Sequence, residues 1–238
     1  MATRFYFGDT GQGIDLGEAP FTPTPQAGWE STDWAMGIDD VYVHLGLMKT
    51  VQRLNPLTTL SFVDASAVNQ DVLFYQWIGD EMTPGQVIAG FQSIKFQGLV
   101  LEDDSINNMR VALGLRILDR LGTTVRKTLI AVSRAAVEAD PFTLVNRQWS
   151  TLSASGDYTT VFGDRVVLEI GMGGDPAVGG THSSSMRFGD AAVSDLPIDN
   201  TTTTDLNPWM EMSELDLTFV PKVIIKGRTT LAGRVTIA

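Results

Sequence analysis

The two histidines of the chain, His44 and His182, are the first residues to consider for acid–base or nucleophilic chemistry. His182 precedes three serines, Ser183 to Ser185, so a Ser-His-Asp triad can be written around it. The sequence has no Gly-x-Ser-x-Gly elbow, and a polar Gly/Ser loop commonly contains a histidine that has no catalytic role. The histidines are far apart in sequence and lack the paired spacing of a zinc site. We therefore predict no catalytic residue.

Four aspartates, Asp190, Asp195, Asp199 and Asp205, lie close together in a stretch with Asn200 and a run of threonines. Oxygen-rich loops can bind Ca²⁺, which takes about six to eight hard ligands. The spacing does not match an EF-hand loop, and aspartates in turns usually cap nearby backbone amides. We expect the capping role, with a Ca²⁺ site at the four aspartates as the alternative, and we predict no other cofactor.

Glu169 lies in an alternating run, Arg165 to Ile170, that is typical of a strand. With a second carboxylate in a cleft, it could take part in glycoside hydrolysis. Alternation more simply places it on the solvent face beside Arg165 or Val167. The following glycine-rich stretch, Gly171 to Pro176, lacks the Gly-Lys-Ser/Thr ending of a phosphate loop. The chain is therefore predicted not to be an enzyme.

The tryptophans could include a platform on which a sugar ring stacks, and they are Trp29, Trp34, Trp77, Trp149 and Trp209. Most tryptophans instead belong to a core or anchor a loop. Trp29 and Trp34 lie in a stretch rich in Gly and Pro, and we expect both to pack onto the folded domain. A carbohydrate-binding module that recognises a cell envelope is nevertheless the alternative function.

Composition excludes several other classes of protein. The chain has 238 residues, 43% of them hydrophobic, which is long enough to bury a full core. Its net charge of −11 disfavours binding to nucleic acid or to an anionic membrane. It has no cysteine, no apolar run near the roughly 18–20 residues of a membrane span, and no signal-peptide pattern. We expect synthesis in a cytoplasm and no membrane partner.

The elements that must position these residues are mainly strands. Runs with β-type composition separated by turn residues are 3–7, 41–45, 57–63, 72–78, 109–117, 124–132, 145–152 and 165–170. In 109–117 the apolar residues are spaced by two, which predicts a half-buried strand with Arg110 and Arg116 on its polar face. Between Val87 and Phe96 the alternation shifts by one residue, as a bulge inside a strand would produce. Residues 133–140 are predicted to form a short helix, and 217–219 the last strand.

About nine or ten strands with almost no helix predict an all-β fold, an antiparallel β-sandwich or jelly roll. We assign residues 1–219 to this domain, including an irregular N-terminal arm at 8–56. Residues 220–238 form a C-terminal strand extension whose only charged residues are cations: Lys222, Lys226, Arg228 and Arg234. We predict that these four bind a partner, since the rest of the chain is acidic. The extension could cover an edge of its own sheet or add a strand to a neighbouring subunit.

Several pieces, in this order, resemble jelly-roll virion proteins of tailed bacteriophages. They are TRFYF at 3–7, AGWE at 27–30, RVVLEIG at 165–171, MRFGD at 186–190, SDLP at 194–197, TTTD at 202–205 and NPWMEMS at 207–213. The resemblance spans most of residues 3–219 and implies a lectin-like jelly roll carried on the virion as a structural or accessory component. It implies no catalytic residue. The long arm and the basic extension depart from the family pattern.

The resemblance and the residues together predict a non-enzymatic structural component on the exterior of a tailed-phage virion. It would be a tail-associated protein or a capsid decoration protein that acts through subunit–subunit contacts. Its expected partners are other virion proteins and copies of itself, with a host-surface glycan as the alternative and no nucleic acid. Its expected location is the virion, assembled in the host cytoplasm.

Overall fold

The computed structural model describes residues 2–10, 23–32, 44–64, 70–103, 105, 108–174, 182–192, 194–201, 206–213 and 215–221. These residues form fourteen strands and no α-helix. The strands are β1 (Thr3–Thr10), β2 (Ser31–Thr32), β3 (Leu45–Lys49), β4 (Thr58–Asp64), β5 (Gln70–Glu81), β6 (Val87–Ile88), β7 (Ser93–Glu102), β8 (Arg110–Leu118), β9 (Val125–Arg134), β10 (Val145–Leu152), β11 (Tyr158–Thr159), β12 (Arg165–Gly174), β13 (His182–Phe188) and β14 (Trp209–Met212). In the part of the chain that the structure describes, no helix is long and apolar enough to cross a bilayer.

Twelve strands belong to one mixed sheet, in the order β4-β13-β7-β14-β1-β3-β5-β12-β8-β9, with β10 paired to β7 and β2 to β5. Strands β6 and β11 form a second, two-stranded sheet. The strand pairings are antiparallel except β2–β5 and β3–β5, which are parallel. The all-β sandwich prediction is confirmed, and among the described strands its antiparallel description fails at these two pairs.

The large sheet folds over on itself around an aromatic cluster. Trp77 of β5 contacts Phe188 of β13 with ring centroids 5.1 Å apart, although four strands lie between β5 and β13 in the sheet. Phe7 of β1 lies between them, 5.2 Å from Trp77, 5.7 Å from Phe188 and 5.9 Å from Phe96. The two halves of the sheet are therefore the two layers of a sandwich, and β1 joins them through β14 and β3.

One end of the sandwich, named the loop end here, is formed by residues 82–92, 119–124, 153–164 and 215–221. Strands β5 and β8 finish there, and β7, β9 and β12 begin there. The β6–β11 sheet lies in these connections, and Phe219 makes a single bridge to Met82. The predicted last strand at 217–219 is therefore wrong, because only one of its residues pairs.

The predicted helix at 133–140 is also wrong. Strand β9 continues to Arg134, and the backbone amides of Ala135 and Ala139 then donate to the Val111 and Met109 carbonyls at 2.7 and 2.8 Å. Both alanines are buried. Pairing with the neighbouring chain satisfies these amides, so tertiary contacts override the local helix propensity.

The phase shift between Val87 and Phe96 marks a turn between two strands, so the predicted bulge is wrong. Strand β6 ends at Ile88 and β7 begins at Ser93. Phe91 lies between them with φ at 58°, a left-handed conformation that bulky side chains rarely adopt.

Strand β8 is present as predicted, but its two arginines differ in exposure, since the side chain of Arg110 is 41% exposed. Arg116 is buried, and the reason lies in the arm that covers this face of the sheet.

Candidate functional site

Among the described residues, the Glu169 carboxylate is a buried charge that accepts hydrogen bonds from four different protein groups. It lies in the centre of β12, and its side chain has no exposed area. It accepts hydrogen bonds from the Gln26 backbone amide at 3.0 Å, the Trp29 indole at 2.9 Å and the Gln76 amide at 2.9 Å. Arg116, whose side chain is 4% exposed, completes the set with an ion pair. A carboxylate with four donors is well satisfied, which a buried charge requires.

These contacts hold residues 23–30 of the arm on the outer face of the sheet. Arg116 also donates to the Thr24 carbonyl at 2.7 Å, and the Gln26 side chain donates to the Ile130 carbonyl at 3.1 Å. Gly171 leaves room for the Trp29 ring, since a β-carbon there would lie 2.8 Å from it and would collide with a backbone carbonyl. Residues 23–30 of the arm and the strands beneath them are therefore complementary in shape and in hydrogen bonding.

The predicted solvent-face position of Glu169 is wrong, although alternation identified the right side of the strand. Glu169 and Arg116 do point away from the core between the layers, but Gln26 and Trp29 cover them. The expectation that Trp29 packs onto the sandwich is confirmed by its bond to Glu169. Trp34 lies outside the described residues.

Asp195 and Asp190 fix the connection between β13 and β14. Asp195 accepts bonds from Arg4 at 2.7 Å, from the Tyr6 hydroxyl at 3.0 Å and from Gln52 at 3.0 Å. Asp190 is buried and accepts the backbone amides of Arg53 and Asn55 at 2.5 and 2.6 Å. Both carboxylates are thus used to attach this connection to other parts of the sandwich.

Arg4 links the first strand to the same connection. Its guanidinium forms 2.7 Å ion pairs with Asp195 and Glu211 and lies 4.0 Å from the centre of the Trp209 ring. Burial alone would lower the pKa of Arg4, but the hydrogen bonds and charges of Glu211 and Asp195 outweigh it and raise the pKa. The guanidinium of Arg4 therefore stays positively charged.

Asp199 caps its own turn, as aspartates in turns were expected to do. It accepts the Thr201 backbone amide at 3.1 Å and hydroxyl at 2.9 Å, and the Asn146 amide at 2.6 Å. Asp205 lies outside the described residues. Within the described ranges no three His, Cys, Asp or Glu side chains are grouped so as to hold a metal ion. The four-aspartate cation site stays a prediction.

The Asp199 turn gives an acid-dependent contribution to stability. The Thr201 backbone hydrogen bond, helped by the Thr201 hydroxyl and Asn146, holds the pKa of Asp199 below its usual value of 3.8. The folded pKa is depressed, so the contribution is present above about pH 4 and is lost as the pH falls through the folded pKa. An NMR titration of the carboxyl should show this low pKa, and Thr201→Val should raise it. A pKa at or above the value in the urea-unfolded chain would contradict the prediction.

The histidine and serine candidates do not assemble into a triad among the described side chains. His44 is buried, and its Nδ1 lies 2.9 Å from the Phe74 carbonyl oxygen. Ser183 donates to Asp103 at 2.5 Å, and Ser184 and Ser185 are buried in β13. The side chain of His182 lies outside the described residues.

The described tryptophans give no flat exposed platform. Trp77, Trp149 and Trp209 are buried and Trp29 is partly covered by the sheet. A groove of about 390 Å³ does run between the end of β9 and β10, and Trp149 contributes to its floor. Its rim is polar, with Gln148, Ser150 and Asn200 among the lining residues.

The four cations predicted to bind a partner, Lys222, Lys226, Arg228 and Arg234, lie outside the described residues. The described chain reaches them through Val220, whose backbone amide donates to the Glu81 carbonyl at 2.8 Å. Pro221, the next residue, is exposed. The extension therefore starts at the loop end.

Comparison with known proteins gives no family. No family model and no curated protein matches the chain. Among solved structures, that of the infectious bursal disease virus Gx strain is 13% identical, with a TM-score of 0.24 over 84% of this chain and 43% of that one. The VP2 subviral particle of the same virus is 9% identical, with a TM-score of 0.23 over 88% of this chain and 59% of that one.

A CocE/NonD family hydrolase from Staphylococcus aureus is 12% identical, with a TM-score of 0.24 over 69% of this chain and 32% of that one. In all three comparisons this chain spans less than two thirds of the other protein. Likenesses this weak carry no argument about function, which has to be made from the residues of this chain.

Proposed function

We propose that the chain is a non-enzymatic structural component on the exterior of a tailed-phage virion, assembled in the host cytoplasm. It is either tail-associated or a capsid decoration protein, and it acts through contacts with other virion proteins and with copies of itself. The proposal rests on the ordered sequence pieces that resemble phage jelly-roll proteins and on where those pieces lie in the fold.

One observation carries the proposal: pieces that are far apart in sequence contact each other. Trp29 of AGWE bonds to Glu169 of RVVLEIG. Arg4 of TRFYF contacts Asp195 of SDLP and also Glu211 of NPWMEMS. These contacts form two sets, one joining AGWE to RVVLEIG and the other joining TRFYF to SDLP and NPWMEMS, and each holds distant parts of the sandwich together. The same residues would be poorly placed for a reaction, because their polar groups are already bonded to protein.

These contacts support a structural role over an enzymatic one. Glu169, the carboxylate considered for glycoside hydrolysis, is enclosed by four protein donors and has no exposed area. A general acid or nucleophile must reach its substrate.

Deletion of residues 222–238 tests the role of the basic extension. We expect the truncated protein to remain folded, because the described residues form the sandwich without residues 222–238. We expect it to be absent from purified particles, whereas the full chain is incorporated at a fixed ratio to the major head or tail protein. Quantitative mass spectrometry of gradient-purified particles measures both.

A matched variant separates the contribution of the four positive charges from that of the rest of the extension. Replacing Lys222, Lys226, Arg228 and Arg234 with Gln keeps the length and the apolar residues of the extension. Partial incorporation of this variant would show that the cations contribute to docking. Normal incorporation of the deletion would refute the docking role, and absence of the full chain from particles would refute the virion role itself.

The groove between β9 and β10 favours one second candidate, a carbohydrate-binding adhesion module. Its polar rim offers amide and hydroxyl groups that could bond to a sugar. Reproducible binding on a glycan array that is lost in Gln148→Ala, by a protein absent from particles, would favour this candidate over the structural role.

A further inference from the structure

The loop end of the sandwich exposes an unusual amount of apolar side chain. Six large residues on three neighbouring connections and the end of β10 are 45–65% exposed, and they are named the apolar end surface here: Val87, Phe91, Leu121, Leu152, Val161 and Phe162. Single exposed apolar residues are ordinary, but several at one end of a domain indicate an interaction site.

The connections that carry these residues are tied together. Val87 pairs with Thr159 in the small sheet, and the Phe91 amide donates to the Ala154 carbonyl at 3.5 Å. The Arg120 guanidinium lies 5.7 Å from the centre of the Phe162 ring, which joins the β8–β9 turn to the β11–β12 connection. The six side chains therefore belong to one preformed surface.

Phe91 supplies a second observation. It is 64% exposed and its φ is 58°, so the chain holds a large apolar residue in a strained conformation that glycine would adopt freely. Neither burial nor local geometry explains a phenylalanine there. Leu54 and Phe142 share this conformation and are 69% and 73% exposed, so what distinguishes Phe91 is its place among the other five exposed residues at the loop end.

The C-terminal extension identifies the partner. Thr218 and Val220 bond to Thr83 and Glu81 at the loop end, so Lys222–Ala238 starts beside the apolar end surface. The segment contains four cations together with the apolar residues Val223, Ile224, Ile225, Leu231, Val235 and Ile237. The rest of the chain has 13 basic and 28 acidic residues, a net charge of −15, so the segment and the sandwich have opposite charge. Fully extended, the segment reaches about 55 Å, enough to cross to a second molecule.

A single strand does not cover the whole surface. Strands are about 4.8 Å apart, whereas the end of a two-layer sandwich spans layers about 10 Å apart. Two copies facing each other through their loop ends would cover both surfaces. In each copy the donated segment and the surface that receives it lie at the same end. One two-fold axis therefore places the segment of each copy on the apolar end surface of the other.

We propose that the apolar end surface is a self-association site: two copies face each other through it, and segment 222–238 of each lies on the other. This inference specifies the contact between copies that the proposed function includes. The role of the contact in particle assembly rests on that proposed function. It is a property of the purified protein, so it can be tested apart from the particle.

Sedimentation equilibrium over a range of concentrations tests the site. We expect a dimer for the full chain and a dimer Kd raised about tenfold or more in Phe91→Ser and in Phe162→Ser. Deletion of 222–238 should raise it similarly. Phe142→Ser is the matched control, since Phe142 is 73% exposed with φ at 60° near the opposite end, and it should leave the Kd unchanged. Melting temperatures confirm that each variant folds.

Three results would overturn the proposal: a full chain that stays monomeric at all concentrations, a dimer insensitive to Phe91→Ser and Phe162→Ser, or an equal loss in Phe142→Ser. A monomer whose segment is protected from protease would place the segment on its own sandwich and would also overturn it. A dimer with the expected pattern in a protein absent from particles would keep this site and refute the virion role. Incorporation into particles without dimerisation would keep the virion role and refute this self-association site.

Discussion

Replacing Glu169 with alanine is expected to lower the free energy of unfolding by about 3–5 kcal/mol, because Arg116 would remain buried without its counter-charge. The Trp29 indole and the Gln26 backbone amide would lose their acceptor in the same step. Urea denaturation followed by circular dichroism measures the change. Limited proteolysis should cleave residues 23–30 faster, because the arm loses its anchor.

The exposed ion pair between Arg110 and Glu138 is the matched control. Its side chains are 41% and 42% exposed, so Glu138→Ala should cost no more than about 1 kcal/mol. If Glu169→Ala does not fold, Trp29→Phe removes one donor and should cost about 1 kcal/mol. Equal, small losses in Glu169→Ala and Glu138→Ala would show that the buried network does not anchor the arm.

Replacing Phe7 with alanine is expected to cost about 3–5 kcal/mol, since it empties the centre of the aromatic cluster. Phe7 is 1% exposed and contacts aromatic rings from both layers. Movement of one strand cannot refill such a cavity, because the opposite layer is held by its own pairings. Thermal and urea unfolding measure the loss.

Phe162→Ala is the comparison for Phe7, because it removes the same side chain from the surface. Phe162 is 65% exposed and should change stability by no more than about 1 kcal/mol. A loss in Phe7→Ala below about 1.5 kcal/mol would mean that the cluster repacks, contrary to the close packing expected of a core.

Alternation and β-type composition predicted most of the strands, and alternation has a direct geometric cause. The run that became β8 showed it over nine residues and the run that became β12 over six, whereas β5 and β10 were predicted from β-type composition between turn residues. Neither signal could show that the face bearing Arg116 and Glu169 is covered, because the cover comes from Gln26, 143 positions away from Glu169. A glutamate and an arginine on neighbouring strands, with glycines beside them, were the available signal.

The aspartates also show which contacts local sequence rules can predict and which they cannot. Asp199 caps an amide two residues away, which turn chemistry predicts. Asp190 instead accepts the amides of Arg53 and Asn55, more than a hundred positions away, and no local rule predicts that pairing. Phe91 is a third case, since phenylalanine gives no sequence signal for a left-handed turn.

The position of β1 has a consequence for how the protein is made. Thr3 pairs with Met212, and the Thr3 hydroxyl donates to the Leu215 carbonyl, 212 positions along the chain. Among the described strands, β1 therefore waits for β14, which follows the others in the chain, before both of its edges are paired. Until then Phe5 and Phe7 have no complete core to enter, and such distant pairings form slowly. We expect the newly made chain to depend on chaperones until β14 has left the ribosome.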